Sequence, residues 1–149
     1  MEINGVAHII LTVRSVAASR GFYVALLERM GLTKVFDTPE YLYYVGGRTA
    51  VGLRPAGPEH AAERFHQGRV GLHHMCFRAR SREDVDAIHA TAVGLGASIV
   101  HAPREEPWAP GYYSVLFEDP DGIRLEINHV PGKGLLEPGV ARPRDPAAP

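Results

Sequence analysis

The chain contains an internal repeat, and the repeat limits the folds that are open to it. The segment Val6–Ser15 is similar to Leu72–Ser81, and His8 corresponds to His74 at an offset of 66 residues. In each copy the segment is followed by a stretch whose apolar residues lie three and four positions apart, and a glycine closes each stretch. This spacing predicts an amphipathic helix. The chain is therefore expected to contain two copies of one structural unit.

The ends of both predicted helices carry capping signals. Ser15 and Ser81 stand just before the helical stretches and are predicted N-caps, and Asp84 completes a capping-box pattern in the second copy. Gly31 and Gly96 follow the last helical turns, which is the usual place for a C-cap glycine.

Three short β-like runs follow each helix, with turn residues between them. Gly46-Gly47 marks a hairpin in the first copy, and Asp119-Pro120-Asp121-Gly122 marks a turn in the second. Each half is thus predicted to run strand, helix, strand, strand, strand, in an α+β fold. The predicted strands after the helices are residues 33–37, 41–45 and 49–54 in the first half and 98–101, 112–118 and 123–128 in the second.

The repeat also sets the expected organisation of the chain. Its 149 residues suit a single domain. Module one is expected to cover about residues 3–56 and module two about 70–131, joined by a Pro- and Gly-containing linker at about 57–69. The Pro-rich tail, residues 132–149, is expected to be disordered at its extreme end.

Composition excludes several classes of function. The formal net charge is −1, from 16 basic and 17 acidic residues, which does not favour a nucleic-acid partner or an anionic membrane surface. No apolar run approaches the roughly 20 residues that a membrane helix needs. With one cysteine, Cys76, and no signal-peptide pattern at the start, we expect a cytoplasmic protein without an internal disulfide.

Strand periodicity predicts which side chains lie together on the functional face of each sheet. Side chains on a strand alternate between the two faces of a sheet. This alternation places His8, His74 and Glu126 on the faces away from the helices, one on each of three strands. It places His73 on the helix side, so His73 is expected to be structural.

Two imidazoles and one carboxylate form a ligand set that suits Fe, Mn, Zn, Ni or Co as a divalent ion. If the three strand faces curve around a common cavity, His8, His74 and Glu126 are predicted to hold one such ion. Three protein ligands leave coordination positions open, so the ion would be able to polarise an oxygen of a small-molecule substrate.

These residues and motifs resemble the vicinal oxygen chelate superfamily, which includes glyoxalase I, fosfomycin-resistance transferases, extradiol dioxygenases, methylmalonyl-CoA epimerase and bleomycin-binding proteins. The resemblance covers about residues 3–131, and its most specific part is Asp119-Pro120-Asp121-Gly122 with the strand that ends in Glu126. It implies two tandem βαβββ modules in a cupped, barrel-like mixed sheet with helices outside. It also implies metal binding by His8, His74 and Glu126, and a homodimer.

The chain departs from each subfamily signature that we tested. Glyoxalase I-like members carry a glutamate ligand where this chain has Gly52, so a glyoxalase I site is not expected. Extradiol dioxygenases carry a tyrosine where this chain has Leu116, and residues 107–109 offer no histidine. Fosfomycin-resistance enzymes carry a threonine at the position of Ile10 and also a tyrosine at Leu116.

Other residues are weaker candidates for a role in the site. Arg54 shares a face with Gly52 and is a candidate for holding an anionic substrate. Tyr112 and Ser114 are candidates for lining the cavity, and Trp108 is equally compatible with a lid and with a packed loop. Cys76 shares the face of His74 and is expected to be packing. His101 and His129 are expected to be surface histidines, with a role in proton transfer as the alternative.

The leading hypothesis is a metal-dependent enzyme that acts on a small oxygen-rich substrate, with Glu126 as both ligand and catalytic group. The reaction class stays open among lyase, isomerase, transferase and oxygenase. The rival hypothesis is a non-catalytic small-molecule-binding protein, similar to the bleomycin-binding members, which typically lack the three ligands.

Overall fold

The computed structural model describes residues 2–3 and 5–140. The first half contains β1 (His8–Val13), α1 (Val16–Arg29), β2 (Thr33–Thr38), β3 (Tyr41–Gly46) and β4 (Thr49–Pro55). The second half contains β5 (Met75–Arg78), α2 (Arg82–Gly94), β6 (Ser98–Glu105), β7 (Tyr113–Glu118) and β8 (Arg124–His129). Single 3₁₀ turns lie at Pro58–His60 and Gly134–Leu136.

The strands form two four-stranded mixed sheets with the same topology. The first has the order β1-β4-β3-β2, and the second has the order β5-β8-β7-β6. In each sheet the strand that precedes the helix lies parallel to the last strand of its half, and the other pairs are antiparallel. The predicted α+β class with two βαβββ modules is confirmed. Across the described residues there are two separate sheets and no closed barrel.

Both helices begin and end where the capping residues predict. The hydroxyl of Ser15 accepts a hydrogen bond from the backbone N–H of Ala18, and Ser81 accepts one from Asp84, both at 3.2 Å. Gly31 and Gly96 follow the helices with φ of +80° and +75°, a conformation that favours glycine.

Each helix covers one face of its own sheet. Helix α1 contacts β2, β3 and β4, and α2 contacts β6, β7 and β8. Burial of apolar side chains on these faces drives the packing. The completely buried large side chains include Tyr23, Leu26, Leu42, Tyr44, Leu53, Phe117 and Leu125. The opposite face of each sheet is not covered by the helix of its own half.

Contacts between residues divide the chain into two compact units. Of the described residues, the first unit comprises those up to Gly68 together with Asp119–Ile123, and the second comprises Arg69–Glu118 together with those from Arg124 to Val140. The turn between β7 and β8 thus groups with the first unit. The repeat alone does not indicate this, because it places the turn in the second half of the sequence.

Strands β5 and β6 differ from the prediction, whereas the other strands that follow the helices agree with it to within one residue at each end. Strand β5 begins at Met75, so His74 lies just outside it, and β6 continues beyond His101 to Glu105. The tail turn at Gly134–Leu136 leaves Leu136 84% exposed, while residues 141–149 of the predicted disordered tail lie outside the described residues. Among the helices of the described residues, none has the length and apolar character to cross a membrane.

Candidate functional site

Strand β8 places Glu126 on the face of the second sheet that α2 does not cover. Its register partners are Cys76 on parallel β5 and Leu116 on antiparallel β7. The residue is only 8% exposed, although carboxylates rarely lie so deep unless they are paired. The partners of its two oxygens therefore define the site.

His74 is the first partner. It stands immediately before β5, and its Nε2 lies 3.0 Å from Oε2 of Glu126. The structure therefore brings together two of the three predicted metal ligands. A separation near 3.0 Å is also expected for two ligands in adjacent positions around one ion, because metal–ligand bonds of about 2.1 Å at a right angle span that distance.

Tyr112 is the second partner. Its hydroxyl donates a hydrogen bond of 2.7 Å to Oε1 of Glu126. Desolvation, and next the hydrogen bond to Glu126, raise the pKa of Tyr112 above its ordinary value. The phenol therefore stays protonated, and both oxygens of Glu126 have partners.

His73 extends this network on the other side of His74. The Nδ1 atoms of the two imidazoles lie 2.8 Å apart, which requires one of them to donate and the other to accept. The prediction that His73 lies on the helix side is wrong. His73 is exposed, and because both histidines precede β5, strand alternation does not govern where their side chains point.

Cys76 shares this face, in register with Glu126. Desolvation of the sulfur, and next the negative charge of Glu126, raise the pKa of Cys76 to about 12. At neutral pH the residue is therefore a thiol. A thiol is a poor nucleophile and a poor metal ligand compared with a thiolate.

His8, the third predicted metal ligand, belongs to the first unit. It opens β1 in register with Ala50, and its side chain is exposed. Within residues 2–3 and 5–140, no group of three or more His, Cys, Asp or Glu side chains is arranged to hold a metal ion. The donor types and the 3.0 Å pair fit two ligands of a divalent ion, and the third ligand stays a prediction.

Gly52 occupies the position of the fourth glyoxalase I ligand, and a side chain there would have to displace its neighbours. A Cβ atom on Gly52 would lie 2.6 Å from Cδ1 of Ile10 and 2.9 Å from Cδ2 of Tyr43. Both neighbours are the register partners of Gly52, on β1 and β3. The chain therefore differs from glyoxalase I in two ways at this position: the carboxylate is missing, and Ile10 and Tyr43 occupy the space beside it.

The remaining sequence candidates lie in different settings. Arg54 is exposed near the end of β4. Trp108 is 43% exposed in the loop between β6 and β7. Ser114 is completely buried, opposite Asn128, and its hydroxyl has no hydrogen-bond partner among the described residues. His101 is largely buried, with Nε2 3.8 Å from Glu106.

The two aspartates of the Asp-Pro-Asp-Gly turn accept hydrogen bonds from other parts of the protein, so their role is structural. Asp119 accepts a 2.7 Å hydrogen bond from the hydroxyl of buried Tyr23, and two more from the backbone N–H groups of Asp121 and Ile123. Asp121 accepts from the backbone N–H and the Nε of Arg14, at 2.7 and 2.6 Å. The sequence predicts the turn but not its contacts with Tyr23 and Arg14, because these two residues are distant in sequence.

The chain combines two βαβββ units with a cluster of His74, Glu126 and Tyr112 on a sheet face that no helix covers. Comparisons with known proteins identify the family to which such a chain belongs. The model of the Glyoxalase/Bleomycin resistance protein/Dioxygenase superfamily matches residues 5–127. The chain therefore belongs to this superfamily.

Individual relatives are similar to this chain over most of their length. An uncharacterized protein, YqjT of Bacillus subtilis (strain 168), is 30% identical over 122 residues, which cover 80% of this chain and 94% of the relative. The crystal structure of a candidate glyoxalase from Bacillus halodurans matches with a TM-score of 0.74 and 28% identity, covering 85% of this chain and 96% of the other. The crystal structure of a glyoxalase/bleomycin resistance protein from Albidiferax ferrireducens T118 matches with a TM-score of 0.64 and 25% identity, covering 84% of this chain and 98% of the other.

Proposed function

We propose that this protein is a divalent-metal-dependent enzyme of the superfamily that acts on a small oxygen-rich substrate. The observation that carries the proposal is the contact between His74 and Glu126, 3.0 Å apart on a helix-free sheet face. A carboxylate that is 8% exposed and paired with an imidazole is an arrangement typical of metal sites.

His74 and Glu126 would supply two ligands, and a His8 side chain, of the same chain or of a second copy, would supply the third. A bound Fe, Mn, Zn, Ni or Co ion would act as a Lewis acid on an oxygen of the substrate. This ligand set does not select among a lyase, an isomerase, a transferase and an oxygenase.

The residues around Glu126 have separate tasks in this proposal. Tyr112 holds a proton at Oε1 of Glu126, which orients the carboxylate and places a proton donor beside it. His73 fixes the orientation and tautomer of His74 through the contact between the Nδ1 atoms, which leaves Nε2 toward Glu126. Glu126 is the group expected to move a proton during the reaction.

Metal content tests the proposal directly. The protein is purified without a metal-binding tag, loaded with each candidate metal in turn, and analysed by elemental mass spectrometry. We expect about one equivalent of metal in the natural sequence and strong loss in His74→Ala. His89→Ala is the matched control, because His89 lies on α2, the helix that packs on the opposite face of the second sheet. Absence of stoichiometric metal after loading would overturn the proposal.

The same measurement addresses the rival function, a binding protein without catalysis. A chain that binds no metal but binds small organic molecules would support the rival. Homodimer formation and a cytoplasmic location stay predictions, and sedimentation velocity tests the former.

A further inference from the structure

An aromatic cluster stands on the helix-free face of the first sheet. Tyr41 and Tyr43 on β3 stack with ring centroids 5.8 Å apart and an interplanar angle of 17°. Phe36 on β2 lies 6.3 Å from the first ring and 6.2 Å from the second. Phe36 is 54% exposed. The three rings therefore form a surface that solvent reaches, which we call the aromatic platform.

Gly52 lies beside these rings and is buried beneath the side chains of Tyr43 and Ile10. It lies opposite Tyr43 on one side and Ile10 on the other, and it projects no side chain from the sheet. Ile10 is itself 37% exposed. The side chains of Tyr43 and Ile10 thus form an adjoining aromatic and aliphatic surface, which suits a flat apolar group.

The charges on this face are of one sign. Strand alternation places Arg54 two residues beyond Gly52 on the same face, and Arg54 has no ion-pair partner among the described residues. Asp37, the acidic residue of β2, lies opposite buried Leu42 and pairs with Arg20 and Lys34. The strand residues that share the face of Gly52 thus include a cation and no carboxylate.

We infer that the aromatic platform and Arg54 bind a small aromatic anion, with the ring on Tyr43 and Phe36 and the anionic group at Arg54. Stacking supplies affinity that depends little on the exact ring, and the guanidinium supplies selection for a carboxylate or sulfonate. The aromatic platform shares its sheet face with His8, so the inference rests on the proposed function for its site and names a ligand class for it, while its test requires no metal.

A matched pair of fluorescent probes tests it. 8-Anilinonaphthalene-1-sulfonate carries two aromatic systems and an anionic group, whereas N-phenyl-1-naphthylamine has the same ring systems without the charge. Titrations use the full chain after treatment with EDTA, so that failure of the metal proposal does not affect the result. We expect saturable binding of the sulfonate and binding of the neutral probe that is about tenfold weaker.

Three variants locate the site. Arg54→Gln should weaken the sulfonate about tenfold and leave the neutral probe unchanged, whereas Tyr43→Ala should weaken both probes. Lys34→Gln is the matched control, since Lys34 lies opposite buried Tyr44 and pairs with Asp37, and it should change neither. Melting temperatures are compared first, and Tyr43→Leu replaces Tyr43→Ala if the alanine variant does not fold.

Several outcomes would overturn the inference. It fails if the sulfonate does not bind saturably, or if Arg54→Gln and Lys34→Gln weaken it equally. It also fails if Tyr43→Ala changes the sedimentation coefficient and probe binding decreases as protein concentration rises. That result would identify a second copy of the chain as the occupant of the aromatic platform.

Discussion

Tyr112 and Glu126 are joined by a 2.7 Å hydrogen bond on a sheet face where the carboxylate is otherwise in contact with His74. The phenol fixes one oxygen of the carboxylate, and the imidazole is adjacent to the other. The position of Glu126 therefore depends on a residue that lies just before β7. If Glu126 is a metal ligand, Tyr112 orients it from outside the ligand set.

Removing the hydroxyl of Tyr112 should weaken metal binding while the fold is kept. Partners that orient a ligand typically contribute 10- to 100-fold in affinity. We expect Tyr112→Phe to raise the dissociation constant for Zn²⁺ about tenfold in a competition with a chromophoric chelator. Tyr113→Phe is the control, because the neighbouring hydroxyl donates a 2.8 Å bond to the exposed carboxylate of Asp86. Equal affinities for the two variants would contradict the orienting role.

The contact between His73 and His74 should also matter for the metal. His73→Ala removes the group that faces Nδ1 of His74, so the imidazole loses its fixed tautomer and orientation. We expect about tenfold weaker Zn²⁺ binding and an altered visible spectrum of the Co²⁺-loaded protein, with an unchanged melting temperature of the metal-free protein. His73→Asn, which keeps a hydrogen-bonding side chain, should recover part of the affinity. A Co²⁺ spectrum identical to that of the natural sequence would exclude the role.

The sequence predicts the scaffold well because its signals are local. The offset that relates His8 to His74 predicts two similar units, and Ser15 and Ser81 predict where the helices begin. Alternation along β8 correctly separates Glu126 from Leu125 and Ile127, since a strand in a sheet has a strict period of two.

The site is less predictable because it depends on where a strand begins. Strand alternation does not apply to His73, because β5 starts only at Met75, and the side chain of His73 contacts that of His74. The hydrogen bond from Tyr23 to Asp119 joins residues 96 positions apart. No local pattern predicts such a pair.

The turn aspartates should contribute to stability and not to metal binding. Asp119→Ala removes the acceptor of three hydrogen bonds and leaves the hydroxyl of buried Tyr23 without a partner. An unsatisfied buried polar group costs about 1–3 kcal/mol, so we expect a loss of about 3 kcal/mol in the free energy of unfolding. Urea titration measures this, with Asp37→Asn as the control.

The control should cost less than about 1 kcal/mol, because the ion pairs of Asp37 with Arg20 and Lys34 lie at the surface. Tyr23→Phe should cost less than Asp119→Ala, since it leaves the carboxylate with its two backbone donors. If the Asp119→Ala variant were fully folded and still bound less metal than the natural sequence, Asp119 would not have a purely structural role.

Gly52 should tolerate even a methyl group poorly. The added Cβ of Gly52→Ala would lie 2.6 Å from Ile10 and 2.9 Å from Tyr43, so these side chains must shift, and overpacking of this kind costs about 1–3 kcal/mol. The matched control is Gly21→Ala in α1, where no atom lies within 4 Å of the new Cβ, and helix propensity there predicts a gain of up to about 1 kcal/mol.

A second variant shows whether the loss at Gly52 arises from contact with Ile10. Shortening Ile10 to alanine removes Cδ1, the atom nearest the new Cβ, so Gly52→Ala should cost less in the Ile10→Ala background than in the natural sequence. The coupling is measured by urea titration of both single variants and the double variant. The same crowding predicts that Gly52→Glu destabilises the chain and does not restore a glyoxalase I ligand. Additive costs for the two substitutions would show that Ile10 does not restrict this position.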